Sequence, residues 1–346
     1  MEIKRILVSR TDKIGDLLLS IPSFYMLKKM YPEAELVVIV RNYNYEIVKN
    51  LPYIDRIIKI DDFTQKELLE KIPFYKADIF IALYNDKFIA KLAKASKAKV
   101  RIGPYSKICS FFAYNKGVWQ KRSKSIKNEA EYNLDLIKAV NPKLFEENLE
   151  INTKLYLGKE NVLAADTFFK EYKIKDKILV VNPFMGGSAK NIKDEEYAHL
   201  IKKFAERNID TSVIIVSHIS EEKRGTKMVE EIGLPNVHLY ANGGDLLNIA
   251  AIIDKSTVYL GPSTGPTHIA GALDKRIVAI YPAKVTQSVT RWGVFNNDKV
   301  KYLVPDEGNK KENYKNPYFD KYNSEMEEEL LSYLNESFIL EEGDKN

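Results

Sequence analysis

Three short stretches of this chain gather the side chains that proton transfer and anion binding require. The first, Arg10-Thr11-Asp12-Lys13-Ile14-Gly15-Asp16, places two carboxylates and two cations within seven residues. A carboxylate in such a loop can act as a general base, and the cations beside it can hold an anionic group. The same aspartates also suit plainer work, because Asp12 can cap a helix and Asp16 can complement its dipole. The second stretch is Asn182-Pro183-Phe184-Met185-Gly186-Gly187-Ser188-Ala189-Lys190. Its paired glycines let backbone come close to a ligand, Ser188 offers a hydroxyl, and Lys190 offers a compact charge for phosphate. A flexible connection between a strand and a helix would use the same composition.

The third stretch, Ser263-Thr264-Gly265-Pro266-Thr267-His268, follows the apolar run Val258-Tyr259-Leu260 and opens a helix. Pro266 suits the first helical position, where an N–H would find no intrahelical partner. N–H groups around Thr264, Gly265, Thr267 and His268 are expected to point out of the helix terminus, with the positive end of the dipole behind them. An anion is the natural occupant. His268 either contacts a phosphate or sugar there or is a structural residue of the first turn. Glu221 and Glu222 follow another expected strand, and a carboxylate at that place can accept from both hydroxyls of a ribose or simply favour a helix start.

Spacing also excludes chemistries. Only Gly15 stands in the first loop, so the G-x-G-x-x-G of nicotinamide and flavin enzymes is missing, and the Lys190 loop lacks the Walker A order of Gly, Lys and Ser or Thr. Cys109 is the sole cysteine, which rules out an intrachain disulfide and a cysteine-based metal cluster. No Asp-x-Asp pair stands at an expected strand end, so no metal site and no resident cofactor are expected. The formal net charge is +5, without any nucleic-acid recognition motif, and no nucleic-acid partner is expected. Lys116, Lys121, Arg122, Lys124 and Lys127 nevertheless crowd one segment that suits an anionic partner or a solvated loop. No apolar run is long enough to span a bilayer, and the N-terminus leads at once into a strand, so a cytoplasmic location is expected.

These loops need elements to hold them. In a chain of 346 residues two domains are expected, and apolar strands alternate with helices through both halves. Strands are expected at Arg5–Ser9, Leu36–Val40, Arg56–Ile60, Ala77–Leu83 and Lys99–Ile102, with helices over 15–30 and 129–140. A short extended piece at 149–157 leads to the second series. There strands are expected at Lys177–Asn182, Ser212–Val216, Val237–Leu239, Val258–Leu260 and Ile277–Tyr281. This is the pattern of α/β doubly wound parallel sheets, in two Rossmann-like domains with ligands beyond the carboxyl ends of the strands and facing a cleft.

Arg10–Val40, reading RTDKIGDLLLSIPSFYMLKKMYPEAELVVIV, and Gly261–Pro282, reading GPSTGPTHIAGALDKRIVAIYP, together resemble the two signatures of the ADP-heptose:lipopolysaccharide heptosyltransferases, glycosyltransferase family nine. The resemblance covers residues 6–292. It implies a GT-B fold with an N-terminal acceptor-binding domain over 1–158 and a C-terminal nucleotide-sugar domain over 159–322. It further implies a final helix and tail, 323–346, packing back on the N-terminal domain. It implies inverting, metal-independent transfer of a heptose from ADP-heptose to the inner core of lipopolysaccharide or lipooligosaccharide. By the same resemblance Asp16 matches the catalytic base, and Ser188, Lys190, Glu222, Ser263, Thr264, Gly265 and His268 match donor-binding positions, with Glu221 as the other choice for the ribose. Arg10, Asp12, Lys13, Lys121 and Arg122 are the expected acceptor contacts, and residues 128–134 fit the acceptor-side helix. The implied partners are a nucleotide-sugar donor and an anionic lipid A or core oligosaccharide acceptor, with peripheral contact at the inner face of the membrane. Ser263 stands where many members have aspartate, and Ile192 where tryptophan often follows the lysine loop. Both departures leave another nucleotide sugar, or an epimerase reaction, as the alternative.

Overall fold

The computed structural model describes residues 2–187, 189–305 and 316–343. The chain divides into two units, one ending at Tyr156 and one beginning at Leu157, two residues before the boundary expected from sequence. The first unit holds β1 (Arg5–Ser9), β2 (Glu35–Val40), β3 (Arg56–Lys59), β4 (Ile79–Ala82), β5 (Val100–Pro104) and β6 (Lys116–Val118). All six are parallel, in the order β3-β2-β1-β4-β5-β6. The second unit repeats the design with β7 (Lys177–Val181), β8 (Thr211–His218), β9 (Val237–Asn242), β10 (Val258–Pro262), β11 (Arg276–Ile280) and β12 (Val300–Leu303). Its order, β12-β11-β10-β7-β8-β9, is again parallel throughout.

Strands covered by helices on both faces have no side to give to water, which is why Ile6-Leu7-Val8 and Val258-Tyr259-Leu260 are continuous apolar runs and wholly buried. Winding reverses between β1 and β4 in the first sheet and between β7 and β10 in the second. A reversal spreads the connections to either side and leaves a crevice at the carboxyl edge. The loop after β1 lies at the first crevice, and the loops after β7 and β10 lie at the second.

The expected helix over 15–30 is two helices, Ile14–Leu18 and Ile21–Met30. Pro22 has no N–H to give to the preceding turn, and the chain steps at Leu19–Ser20, where the Ser20 hydroxyl donates to the Asp16 carbonyl at 2.8 Å. The expected extended piece at 149–157 joins no strand. Residues that end helices before a strand often adopt the left-handed conformation, and here lysine or aspartate does so at Lys76, Lys97, Lys173 and Asp274, with φ between 49° and 56°.

The helix Ser324–Gly343, expected to pack on the N-terminal domain, gives apolar side chains to the second unit. Leu330, Leu331, Leu334 and Phe338 belong to the core of the second unit, with the Phe338 ring 5.6 Å from that of Phe204. Its buried Glu327 accepts from Lys203 at 2.5 Å and lies 2.7 Å from His199 Nδ1. Arg276 on β11 pairs with Glu341 at 3.1 Å.

Candidate active site

In the first unit the crevice is organised around one buried guanidinium. Arg10 follows β1 directly, its N–H donating to the Ile39 carbonyl at 3.0 Å. Its side chain, 1% exposed, donates through Nε to Asp12 at 2.6 Å and through Nη2 to Asp16 at 2.6 Å. Nη1 donates to Glu129 at 3.0 Å, to Asn133 at 2.9 Å and to the Leu83 carbonyl, just past β4, at 3.4 Å. A planar fork is the only side chain able to address so many acceptors at once. Arg10 was expected to touch the acceptor; with its donors spent inside the protein, it holds the carboxylates in place instead.

Glu129 and Asn133 reach Arg10 because they are four residues apart on one face of the helix Glu129–Lys138. That helix is fixed at its start by a capping box, in which Asn128 Oδ1 accepts from the Ala130 N–H at 3.0 Å and Glu131 accepts from the Asn128 N–H at 2.7 Å. Asn133 Nδ2 closes the cluster by donating to the Leu19 carbonyl at 3.2 Å and to the Ser20 hydroxyl at 3.1 Å, the groups freed by the step in the preceding helix pair. Arg122, also expected on the acceptor, donates to the same Glu129 oxygen and to Gln120 at 2.8 Å. Lys13 and Lys121 extend into solvent. The Asp12 carbonyl accepts from Tyr43 and from Asn44 Nδ2, the latter at 3.0 Å, so the loop is tied on both sides.

The cluster sets three carboxylates against two guanidiniums, and the imbalance falls on Asp12. Burial pushes its carboxyl up to about 7 and the charge of Asp16 adds to the rise, against the pull of Arg10. Asp12 and Asp16 are 16% and 13% exposed, so both keep some contact with solvent. The raised Asp12 carboxyl binds a proton in the folded protein that the unfolded chain has released. Its stabilising contribution is therefore complete below the unfolded value near 4 and is lost as pH climbs through about 7. Urea unfolding of the wild type is expected to show a steeper loss of stability between pH 5 and pH 8 than that of Asp12→Asn; parallel pH slopes would refute this.

In the second unit two loops meet at the reversal. Asn182, after β7, donates its backbone N–H to the Leu260 carbonyl at 2.9 Å and its side-chain amide to the Thr264 hydroxyl at 3.2 Å. Thr264 starts the helix Gly265–Ala272, with Pro266 in its first turn. Thr267 is folded inward, its hydroxyl donating to the Pro262 carbonyl at 2.5 Å and lying 3.3 Å from that of Tyr259. Among the described residues the N–H groups of Gly265 and Thr267 donate to nothing. The His268 N–H, expected to join them, turns back to the Thr264 carbonyl at 3.4 Å, and the His268 side chain is buried. Ser263, Thr264 and Gly265 are half-buried, as a surface that receives a ligand should be.

The Lys190 loop is pinned beside this turn. Asn191 Nδ2 donates to the Pro183 carbonyl at 2.8 Å, its Oδ1 accepts from Tyr197 at 3.0 Å, and its backbone pairs with the segment Pro317–Phe319 at 3.0 and 2.9 Å. Lys190 lies 3.8 Å from the exposed Asp320 carboxylate, a long pairing that an anionic ligand can displace. Gly187 has φ +76°, a backbone shape that favours glycine. Ser188 lies outside the described residues. Beyond β8, Glu221 accepts from Arg224 at 3.2 Å, whereas Glu222 opens the helix Glu222–Ile232 with its side chain exposed. Of the two, Glu222 is the more exposed, while the Glu221 side chain, 38% exposed, is tied to Arg224.

Two parallel doubly wound units, one with a carboxylate loop and the other with an open helix terminus beside a lysine loop at the carboxyl edge, have the architecture of the GT-B fold. The chain belongs to glycosyltransferase family 9, the heptosyltransferase family, whose model matches residues 66–323. That span contains Lys190, Glu222 and the turn at Thr264, while the Arg10–Asp16 loop precedes it. A Haemophilus influenzae protein described only as a glycosyltransferase is 29% identical, with 85% of this chain and 87% of that protein covered. The lipopolysaccharide core heptosyltransferase OpsX of the same organism is 24% identical, with 80% and 79% covered. The structure of the E. coli ADP-heptose LPS heptosyltransferase II superposes with a TM-score of 0.79 at 15% identity, covering 98% of this chain and all of that one. No helix among the described residues is long and apolar enough to cross a membrane.

Proposed function

We propose that this enzyme transfers a heptose from ADP-heptose to the inner core of lipopolysaccharide or lipooligosaccharide, with inversion and without a metal ion. Asp16 is the base: it takes the proton of the acceptor hydroxyl as that oxygen bonds to the anomeric carbon on the face opposite the diphosphate. The bond from carbon to the phosphate oxygen breaks, and its electron pair leaves with ADP. The charge that accumulates on the diphosphate is met by Lys190 and by the N–H groups of Gly265 and Thr267, and Ser188 adds a hydroxyl. These partners bind the developing anion more strongly than the intact donor and so lower the barrier. Glu222 accepts from the ribose hydroxyls, Thr264 and His268 line the turn, and Ser263 adjoins the donor sugar. Lys13 and Lys121 approach the anionic acceptor.

The observation that carries this reading is the pairing of Asp16 with Arg10, which keeps a carboxylate anchored yet open to solvent at the point where the first sheet reverses. The heptosyltransferase relatives and the matching loops support ADP-heptose as the donor. The test is to incubate the purified protein with a panel of nucleotide sugars, with and without lipid A–core acceptors and in the presence of EDTA, and to follow free nucleotide and the anomeric configuration of the product. ADP release that depends on both ADP-heptose and acceptor, and survives EDTA, is expected. Consumption of UDP or GDP sugars alone would overturn the donor, and conversion without acceptor would favour an epimerase.

A further inference from the structure

The positive charge of this protein is concentrated in one place. From Lys87 to Asn128 the sequence holds ten lysines and two arginines and no aspartate or glutamate, leaving 41 basic against 48 acidic residues elsewhere. The same segment carries apolar side chains that none of the described residues covers. On the short helix Ile108–Ala113, Ile108 is 80% exposed and Phe112 75%, and Phe111 lies on the same face, three and four residues apart as one helical side requires. Trp119, just beyond β6, is 74% exposed, with its ring 5.5 Å from Phe111 and 5.7 Å from Tyr105. Gly117 makes this stacking possible, since a Cβ there would collide with the Tyr105 ring. Lys107, Lys116, Lys121 and Lys124 stand exposed around these rings.

We propose that this face of the first unit docks on an anionic lipid bilayer, with Ile108, Phe111, Phe112 and Trp119 entering the boundary between headgroups and acyl chains and the surrounding lysines meeting acidic headgroups. Aromatic and aliphatic residues ringed by lysine are the composition of an interfacial anchor. A second copy of this chain is a poor occupant, because face-to-face packing would oppose like charges. A nucleic acid has no use for Ile108 and Phe112 at their exposure. The proposal deepens the reading of a lipid-linked acceptor, yet its test contains no sugar.

The experiment measures sedimentation of the full-length protein with vesicles of phosphatidylcholine alone and of phosphatidylcholine mixed with phosphatidylglycerol, together with tryptophan emission. Binding to the acidic vesicles with a blue shift that Trp119→Phe removes is expected. The double variant Ile108→Ser/Phe112→Ser should bind at least about tenfold more weakly at unchanged Tm. Lys116→Glu/Lys124→Glu should weaken binding to acidic vesicles and leave the neutral ones unaffected. Equal binding by wild type and the serine variant would overturn the proposal, as would a lipid-free dimer that the serine variant dissolves. An enzyme that declined ADP-heptose but bound vesicles in this way would lose the donor assignment and keep the anchor.

Discussion

Asp16→Asn is expected to lower the turnover of transfer by about 10²- to 10⁴-fold, the range that a positioned general base supplies. Asparagine keeps the shape of the side chain and an oxygen for Arg10 Nη2, so the loop should stay in place while the proton acceptor is lost. The donor is held by the second unit in this reading, and calorimetric affinity for ADP should change by less than about twofold, because no donor contact is removed. The contrast with Asp12→Asn sharpens the assignment. Asp12 accepts from Arg10 Nε and its carboxyl is pushed up to about 7 by burial, so near neutral pH much of it already carries a proton and is a poorer acceptor for another. Its replacement should leave most of the turnover intact. Full activity in Asp16→Asn, or an equal loss in the two variants, would remove Asp16 from the role of base.

Arg10→Met is expected to destabilise the protein by about 3–5 kcal/mol, the cost of stranding buried charge after one partner is removed. Three carboxylates lose their shared cation at once, and of these Glu129 is as deeply buried as Arg10 itself. Against a total stability of roughly 5–15 kcal/mol such a loss is severe. Lysine should not rescue it, because a single ammonium cannot reproduce donation through Nε, Nη1 and Nη2. Urea titration of the full chain decides the matter, and a change below about 1 kcal/mol in Arg10→Met would contradict the account, being the worth of an ordinary exposed ion pair.

Much of this molecule is legible in its sequence. Ten strands announce themselves as apolar runs because a parallel strand is buried on both faces and cannot alternate. β6 and β12 do not, for they offer no apolar run: three and four residues long, the first is interrupted by Gly117 and the second by Lys301. The helix Gln65–Lys71 escaped although Thr64 and Glu67 spell out its capping box, and so did Lys87–Ala95 behind the cap at Asp86. At the site, the loops were visible because glycine, proline and charged residues cluster where strands end. The role of Arg10 was not. Arginine is a surface residue by default, and its burial depends on Glu129 and Asn133, which lie 119 and 123 positions away. The i, i+4 spacing of those two on an acceptor-side helix was the available signal. In the final helix the acidic sequence masks the four apolar residues it gives to the second core, Leu330, Leu331, Leu334 and Phe338.

The four lysine and aspartate positions held in left-handed backbone all lie where a helix hands over to a strand, at the rim of each sheet away from the reactive loops. Whatever torsional cost those residues carry is thus separated from chemistry by the full length of a strand. Glycine at Lys76, Lys97, Lys173 or Asp274 is a route to a sturdier enzyme that leaves turnover untouched, which makes that quiet edge the natural place to begin engineering.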